Sequence, residues 1–121
     1  MKTGLLVTIQ RERVKDMLSE MLLKKYQPMT ETSCFILLSI AKEPKHGYGI
    51  VMDVKKLSGG RIKLGNGSLY GALGRLESDG LLVHFDEAEG RKVYAATKLG
   101  ISVLQMERER LELLSSLLKG V

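Results

Sequence analysis

The chain has 121 residues and a mass of 13.4 kDa, enough for one domain with a modest core. Hydrophobic residues make up 44% and charged residues 27%, and these shares exclude a disordered chain. A single cysteine, Cys34, excludes an internal disulfide and a cysteine-rich zinc module, and we interpret it as a small buried hydrophobe. No apolar stretch has the length of a membrane span or of a signal-peptide core, so we expect a cytoplasmic protein without membrane contact.

The first long segment, 9–26, is predicted to be an amphipathic helix. Its apolar residues recur at spacings of three and four, which places them on one stripe. The stripe consists of Val14, Met17, Leu18, Met21 and Leu22. Pro28 ends the helix, because proline cannot donate the backbone hydrogen bond that a further turn needs.

Two shorter helices are predicted next. The segment 31–41 is apolar nearly all round, which is typical of a central helix, and Thr30 or Thr32 can cap it. A third helix is expected over 46–57, with its apolar residues facing inward and a glycine pair after it.

The following segments predict a small β component around one further helix. Residues 61–64 alternate polar and apolar side chains, as a very short strand does. Residues 65–67 are expected to form a turn, and a helix is expected over 68–78. The segments 81–85 and 91–96 are predicted to be two strands of a hairpin around a polar tip.

A last, long helix is predicted over 98–119, with Thr97 as its cap. Its leucines at 104, 111 and 118 are seven residues apart, so they form a second apolar stripe. Neither terminal helix has an obvious partner for its stripe inside so small a domain. The stripes can be buried against each other or across a two-fold axis, and on this basis we predict a dimer.

The order of elements over residues 31–96 is that of a winged helix-turn-helix. The predicted fold is therefore mainly α with a small β-hairpin, flanked by amino-terminal and carboxy-terminal helices. Residues 42–75 hold seven cations and two anions, whereas residues 76–121 hold six cations and eight anions. The positive excess thus lies at the helix-turn-helix, where binding to DNA phosphates requires it; a solvated lysine-rich face is the alternative interpretation.

The sequence offers no candidate catalytic, metal or cofactor site. His46 and His84 lack a carboxylate or cysteine at metal-ligand spacing, so we expect them to be surface or hydrogen-bonded histidines. The glycines at 60 and 65 have the first spacing of a phosphate-binding loop, but Asn66 occupies the position of its lysine. We therefore predict a protein that is not an enzyme and needs no cofactor.

Three motifs follow one another in the chain: HGYGI at 46–50, GNGSLYGALGRLESDGLL at 65–82 and EGRKVYAATKLG at 89–100. In this order and spacing they resemble the PadR family of bacterial transcriptional regulators, over about residues 33–100. The resemblance implies a repressor that binds palindromic operator DNA as a homodimer. It also implies a DNA-binding winged domain at 30–97, with dimerisation helices at 1–29 and 98–121, in the compact form with a single carboxy-terminal helix.

The resemblance also implies roles for particular residues. Gly67 and Ser68 would open the recognition helix, and the Tyr70 hydroxyl would suit a backbone phosphate. Gly71 departs from the proline common at that place in relatives, which bears on base preference. The expected DNA-binding set is Lys45, Tyr48, Lys63, Gly67, Ser68, Tyr70, Gly71, Arg75, Arg91 and Lys92. The expected dimerisation set is Val14, Met17, Leu18, Met21, Leu104, Leu111, Leu114 and Leu118.

Two features of the recognition segment leave the mode of reading open. Gly71 and Gly74 are one turn apart, which suits either a close approach to DNA or close packing of helices. Residues 68–78 contain neither Asn nor Gln, and Arg75 is their only cation. Direct reading of bases is therefore expected to be thin, with DNA shape and phosphate contacts contributing more.

Two other functions stay open at this point. One is a winged-helix module whose basic face binds an acidic protein. The other is a small-molecule sensor, because some PadR-like dimers hold planar aromatic compounds between their terminal helices. A cavity for such an effector would be lined by Val14, Met17, Leu18, Met21, Met106 and Leu111, for which ordinary dimer core is the alternative interpretation.

Overall fold

The structure, a computed structural model, describes residues 2–121, with the exception of the side chains of Lys2, Thr3 and Ser19. Helices and strands alternate along this part of the chain, and their bounds can be given together. They are α1 Lys2–Lys25, α2 Glu31–Ala41, β1 Lys45–His46, α3 Gly47–Leu57, α4 Asn66–Ser78, β2 Leu82–Asp86, β3 Lys92–Ala96 and α5 Lys98–Leu118. The predicted fold class, mainly α with a small hairpin, is confirmed.

Helix α2 is the centre of the core, as its apolar composition predicts. The Thr30 hydroxyl caps it by accepting a hydrogen bond from the Ser33 amide at 3.1 Å. Helices α3 and α5 and strand β3 pack against it. The core consists of fully buried side chains from α2 and from the elements around it, namely Ile36, Leu37, Ile40, Ile50, Val54, Leu69, Leu76, Leu81, Leu82 and Val103.

The sheet has β3 as its middle strand, with β1 and β2 antiparallel on either side. The predicted hairpin is confirmed, within one residue at each strand end, with Leu82 opposite Ala96 and Asp86 opposite Lys92. The short strand predicted over 61–64 is wrong, and the third strand is instead Lys45–His46. The physical reason is that Arg61 donates two hydrogen bonds to the Glu31 carboxylate, at 2.7 and 3.0 Å, and so holds this segment against the start of α2.

Two helices begin earlier than predicted. Helix α1 starts at Lys2 rather than at residue 9, because no proline interrupts the chain before that point. Helix α4 starts at Asn66 rather than at Ser68, so residues 65–67 are not a turn. Gly65 is the extended N-cap residue, and its carbonyl accepts the first helical hydrogen bond from the Leu69 amide at 2.9 Å.

Helix α1 meets the rest of the chain only near its carboxyl end, among the contacts that the described residues show. The Asp79 carboxylate, just after α4, accepts hydrogen bonds from the Lys25 ammonium at 2.8 Å and the Tyr26 hydroxyl at 2.5 Å. Burial alone would raise the pKa of Asp79, but these two hydrogen bonds outweigh it and lower the pKa. Residues 4–18, 20 and 21 of the helix are exposed, and the side chains of its stripe, Val14, Met17, Leu18 and Met21, each have between 53% and 61% of their surface in solvent.

A buried carboxylate ties the connection between α1 and α2 to α5. Glu107 is only 3% exposed, and it accepts a hydrogen bond from the Met29 amide at 3.0 Å and others from the Arg110 guanidinium. The Arg110 hydrogen bond, aided by the Met29 amide, lowers the pKa of Glu107 despite its burial. The carboxylate therefore replaces its lost water with fixed donors, as a buried charge must.

The start of α5 lies directly against the backbone of the α4–β2 connection. A Cβ atom on Gly100 would lie 2.1 Å from the Leu81 carbonyl oxygen, far inside contact distance. That oxygen accepts a hydrogen bond from the Thr97 amide at 3.1 Å, and the Thr97 hydroxyl accepts one from the Gly100 amide at 3.1 Å. Glycine is therefore required at this position by close approach of two backbones.

We predict that Gly100→Ala lowers the free energy of unfolding by about 1–3 kcal/mol or more, because the new methyl group displaces α5 from the Leu81 carbonyl. Urea denaturation followed by circular dichroism measures the change. Gly74→Ala is the matched control: its methyl group meets no atom within 4 Å, so it should leave stability unchanged or raise it by up to about 1 kcal/mol. Equal stability of Gly100→Ala and the wild type would contradict the close approach.

We predict that Glu107→Gln lowers the free energy of unfolding at pH 7 by about 1–3 kcal/mol, since it removes the buried charge that accepts hydrogen bonds from the Met29 amide and the partly exposed Arg110 guanidinium. The folded-state pKa of Glu107 lies below the unfolded value of about 4.3, so the wild type has this stabilisation above about pH 4.3 and loses it as the pH falls through the folded-state pKa. The difference in the free energy of unfolding between the wild type and Glu107→Gln should therefore become smaller at acidic pH. Urea titrations at neutral and acidic pH test this, with exposed Glu109→Gln as the control.

Candidate nucleic-acid interface

Helix α4 has one buried face and one open face, which its sequence pattern dictates. Leu69, Ala72, Leu73 and Leu76 are buried against the core. The opposite face is exposed and consists of Gly67, Ser68, Tyr70, Gly71, Gly74, Arg75 and Ser78. Because the first helical hydrogen bond starts at the Leu69 amide, the amides of residues 66–68 point out of the amino end of the helix without a partner in its own backbone ladder.

Beside this amino end lies a notch of about 430 Å³, formed by three segments that are distant in the sequence. Its lining comes from the start of α3, from α4 and from the tip of the hairpin. The lining residues are His46, Gly47, Tyr48, Tyr70, Gly90, Arg91, Lys92 and Tyr94. The structure thus brings four residues of the expected DNA-binding set together in the notch, namely Tyr48, Tyr70, Arg91 and Lys92, whereas Ser68 lines a separate depression beside α4.

The notch owes its shape to Gly47. A Cβ atom at this position would lie 3.1 Å from the Tyr70 hydroxyl oxygen and 3.4 Å from a methyl carbon of Leu69. The glycine of the HGY motif therefore allows α4 to pack closely on the start of α3. Tyr48, the next residue, projects into solvent with 75% of its surface exposed, so its hydroxyl is available at the same face.

The hairpin side of the notch is held by the sheet. Tyr94 on β3 is buried, and burial raises the pKa of its hydroxyl, with the neighbouring Tyr70 adding to the shift. Its ring lies 6.0 Å from the His84 ring on β2, and His84 contacts Glu77 of α4 at 2.5 Å. These contacts join the β2–β3 hairpin to α4, and they give His84 a hydrogen-bonded role as the sequence predicts.

Two further depressions flank α4, and they involve residues that the sequence analysis did not assign to the interface. One, of about 540 Å³, places Thr30 and Thr32 at the start of α2 beside Gly67, Ser68 and Arg75. The other, of about 420 Å³, places Lys25 beside the exposed face of α4. Thr30 was recognisable in the sequence as a cap, but no spacing rule shows that the amino ends of α2 and α4 face the same side.

The glycines of α4 are not packing sites within the chain. A Cβ atom on Gly74 would meet nothing within 4 Å, and one on Gly71 would meet only the Arg75 guanidinium at 3.5 Å. Of the two interpretations of these glycines, close packing of helices within the chain is therefore not supported. The helix backbone is consequently exposed along the middle turn of the open face of α4, because Gly71 and Gly74 have no side chains to cover it.

Lys45 differs from the other cations of the expected set. Its ammonium donates a hydrogen bond to the Ser39 carbonyl oxygen and lies 3.7 Å from Glu43 and 3.9 Å from Asp53. The side chain is only 21% exposed. Lys45 thus ties β1 to the end of α2, whereas Lys63 and Arg75 are exposed.

An apolar groove of about 820 Å³ runs between α2 and the outer part of α5, away from the notch. Leu38, Leu104 and Leu111 line it, and Arg108, Glu112 and Lys119 are at its rim. Of the residues expected to line an effector cavity, Leu111 is in this groove, while Val14, Met17, Leu18, Met21 and Met106 are not. Cys34 also lines it and is half-buried rather than enclosed; burial, together with the charge of Glu107, raises the pKa of its thiol.

Within residues 2–121, no three His, Cys, Asp or Glu side chains gather as a group that could hold a metal ion. Over the same residues, no helix combines the length and the apolar character needed to cross a bilayer.

The fold and the notch together define a winged helix-turn-helix protein. Residues 36–106 match the Transcriptional regulator PadR-like family, and the chain belongs to this family. A PadR family transcriptional regulator from Eggerthella lenta DSM 2243 superposes with a TM-score of 0.61 at 28% sequence identity, over 90% of this chain and 95% of that chain. A transcriptional regulator from Clostridium thermocellum superposes with a TM-score of 0.66 at 23% identity, over 74% of this chain and 87% of that chain.

Among curated proteins, a 37.1 kDa protein in transposon TN4556 of Streptomyces fradiae is 35% identical over 85 residues, which are 70% of this chain and 24% of that protein. The chain spans between 24% and 44% of the length of the curated relatives that it matches. The similarity to these relatives therefore covers one module of longer proteins.

Proposed function

We propose that the chain is a transcriptional repressor that binds palindromic operator DNA as a homodimer and acts by binding, without a catalytic role, in the compartment that holds the DNA. Helix α4 would be the recognition helix and the β2–β3 hairpin the wing. The observation that supports this most directly is the notch, because it gathers side chains from three distant motifs on one face. A homodimer would present that face twice, as a palindrome requires.

In this proposal the amino end of α4 enters the major groove. The amides of residues 66–68 and the Ser68 hydroxyl would contact a backbone phosphate, which a helix amino terminus favours through its dipole. The hydroxyls of Tyr48 and Tyr70 would contact neighbouring phosphates. Arg91 and Lys92 would reach the adjacent minor groove or its phosphates from the wing.

Reading of base edges would be limited. The exposed face of α4 offers Arg75 as its one cation, with Gly71 and Gly74 between it and Tyr70. Arginine is the side chain best suited to guanine, and the glycines would let the helix backbone lie close to the floor of the groove. Phosphate contacts and DNA shape would then supply most of the selectivity.

We further propose that residues 30–97 bind DNA and that residues 1–29 and 98–121 form the dimer interface. The stripe of α1 and the leucines of α5 expose apolar side chains along whole helix faces, with Leu111 49% and Leu114 41% exposed, and contiguous exposed apolar surface is typical of a protein interface. The groove between α2 and α5 has an apolar floor and a charged rim, which is the anatomy of a protein interface. A helix of the second copy is therefore its proposed occupant, and a small apolar effector is the alternative.

We predict that Arg91→Ala and Lys63→Ala each weaken DNA binding several-fold on any sequence, and that each reduces the slope of log affinity against log salt concentration by about one, because each removes one phosphate contact. The duplex is a palindromic fragment from the region upstream of the protein's own gene, and fluorescence anisotropy over a KCl series measures the affinity. Affinity that does not fall with rising salt would refute the proposal.

The matched control for this experiment is Lys98→Ala. Lys98 is exposed, and it follows Thr97, whose hydroxyl donates to the Gly80 carbonyl oxygen at 2.6 Å. This contact places it near the carboxyl end of α4, away from the notch. Its loss should leave both the affinity and the salt slope unchanged.

We predict that Leu111→Glu converts a dimer into a monomer of 13.4 kDa at micromolar concentration, because it places a charge in an apolar interface. Size-exclusion chromatography with light scattering measures the mass. Met52→Glu, at an equally exposed apolar residue of α3, is the control and should stay dimeric. A wild-type protein that is monomeric at every concentration measured would contradict the proposed interface.

A further inference from the structure

The tip of the wing has a defined conformation rather than an open loop. The Glu87 amide donates a hydrogen bond to the Arg91 carbonyl oxygen at 2.7 Å, which closes the tip across its base. Between these residues the chain makes a short 3₁₀ turn, with Glu89 and Gly90 at φ values of 68° and 70°. Arg91 therefore leaves the turn in a direction set by this closure.

The ring of His46 contacts both sides of that tip. Its Nδ1 atom lies 3.2 Å from the Lys92 carbonyl oxygen and, since a carbonyl only accepts, donates to it. Its Nε2 atom lies 3.3 Å from a carboxylate oxygen of Glu87, an ion pair when the ring is protonated. Glu87 precedes the turn and Lys92 follows it. Arg91 therefore lies between two residues that both contact the His46 ring.

His46 is in turn held by the body of the domain. It is the second residue of β1, and it pairs with Val93 of β3. It is also the N-cap residue of α3 and directly precedes Gly47, which the Tyr70 side chain of α4 approaches closely. His46 therefore connects the wing tip to the start of α3, where α4 packs through Tyr70.

We propose that His46 is a positioning residue for DNA binding: through Lys92 and Glu87 it holds the wing tip so that Arg91 and Lys92 face the same DNA as Tyr70. This inference rests on the proposed function. Its physical basis is preorganisation, because a wing that is already ordered loses less conformational freedom when it binds. His46 itself need not contact DNA.

The experiment is a double-mutant cycle between His46 and the wing cations. The variants are His46→Ala, Arg91→Ala combined with Lys92→Ala, and all three changes together. The probe is a fluorescein-labelled duplex of mixed sequence and about 30 base pairs, long enough for two half-sites one helical turn apart. Lys92→Ala keeps the backbone carbonyl that His46 contacts, so the cycle removes the cations without removing the tether.

His46→Ala should weaken binding by about two- to tenfold, the cost of ordering one flexible side chain at an interface, and should lower the salt slope. In the background that lacks both wing cations, the same change should have no further effect. An equal loss in both backgrounds, or no loss in either, would overturn the inference while leaving the proposed function standing. Failure of the wild type to bind with salt dependence would overturn both.

Further variants separate positioning from folding. His46→Asn places a side-chain amide near the position of Nδ1, so it should restore the contact with Lys92 and part of the affinity. Lys98→Ala removes an exposed cation that lies away from the notch, so it is the control and should leave affinity unchanged. Amide hydrogen exchange at residues 87–91 should accelerate in His46→Ala without DNA; unchanged exchange there would also overturn the inference.

Discussion

The pairing of β3 with strands on both of its sides is the constraint on which the binding face depends. On one side β3 pairs with β2 and forms the wing, and on the other it pairs with only two residues, Lys45 and His46. This short pairing places the start of α3 beside the wing. The Tyr70 hydroxyl then lies on Gly47, so the recognition helix is brought to the same corner. Residues more than forty positions apart thus meet in the notch because of two strand pairs and one glycine.

The two terminal helices are attached to the winged domain by hydrogen bonds to carboxylates, and α5 in addition packs on α2 with Val103 fully buried. Asp79 follows the recognition helix and binds Lys25 and Tyr26 at the end of α1. Glu107 of α5 binds the Met29 amide in the connection between α1 and α2. Hydrogen bonds to carboxylates are directional, so they set the angle at which α1 leaves the winged domain. In a dimer built on α1 and α5, that angle would set the separation of the two recognition helices.

The helices could be predicted from sequence, because each of them has apolar residues at helical spacing and a local signal at its end. Thr30 and Thr97 cap α2 and α5 as expected. The third strand could not be predicted. Lys45–His46 is too short to show alternation, and its pairing partner lies almost fifty residues away. The alternating segment 61–64 was misleading for a related reason: the Arg61–Glu31 ion pair, a contact over thirty residues, determines where it lies.

The candidate site could be predicted in part by its motifs, but not by its geometry. The motifs predicted which segments would contribute to the candidate site, and the structure brings Tyr48, Tyr70, Arg91 and Lys92 into one notch. A charge count treats Lys45 and Lys63 alike, yet the Lys45 ammonium donates a hydrogen bond within the fold, to the Ser39 carbonyl oxygen. In the same way, the sequence showed His46 as the first residue of the HGYGI motif and as a histidine without a metal partner, but gave it no role in binding. Its importance comes from Glu87 and Lys92, which a hairpin turn brings to it.

The distribution of polar groups argues for a particular balance between affinity and selectivity. Along α4, the middle turn exposes Gly71 and Gly74, and base-reading capacity is concentrated in Arg75. Around α4, hydroxyl groups and cations lie on three sides, from Thr30 and Thr32, from Lys25, and from the wing. A face of this kind binds the path of the phosphates more than the edges of the bases. In the proposed complex, selectivity would depend on how well a DNA sequence adopts the groove width and the half-site spacing that the protein holds fixed. Rigidity of the wing and of the α1 attachment would then contribute to specificity as well as to stability.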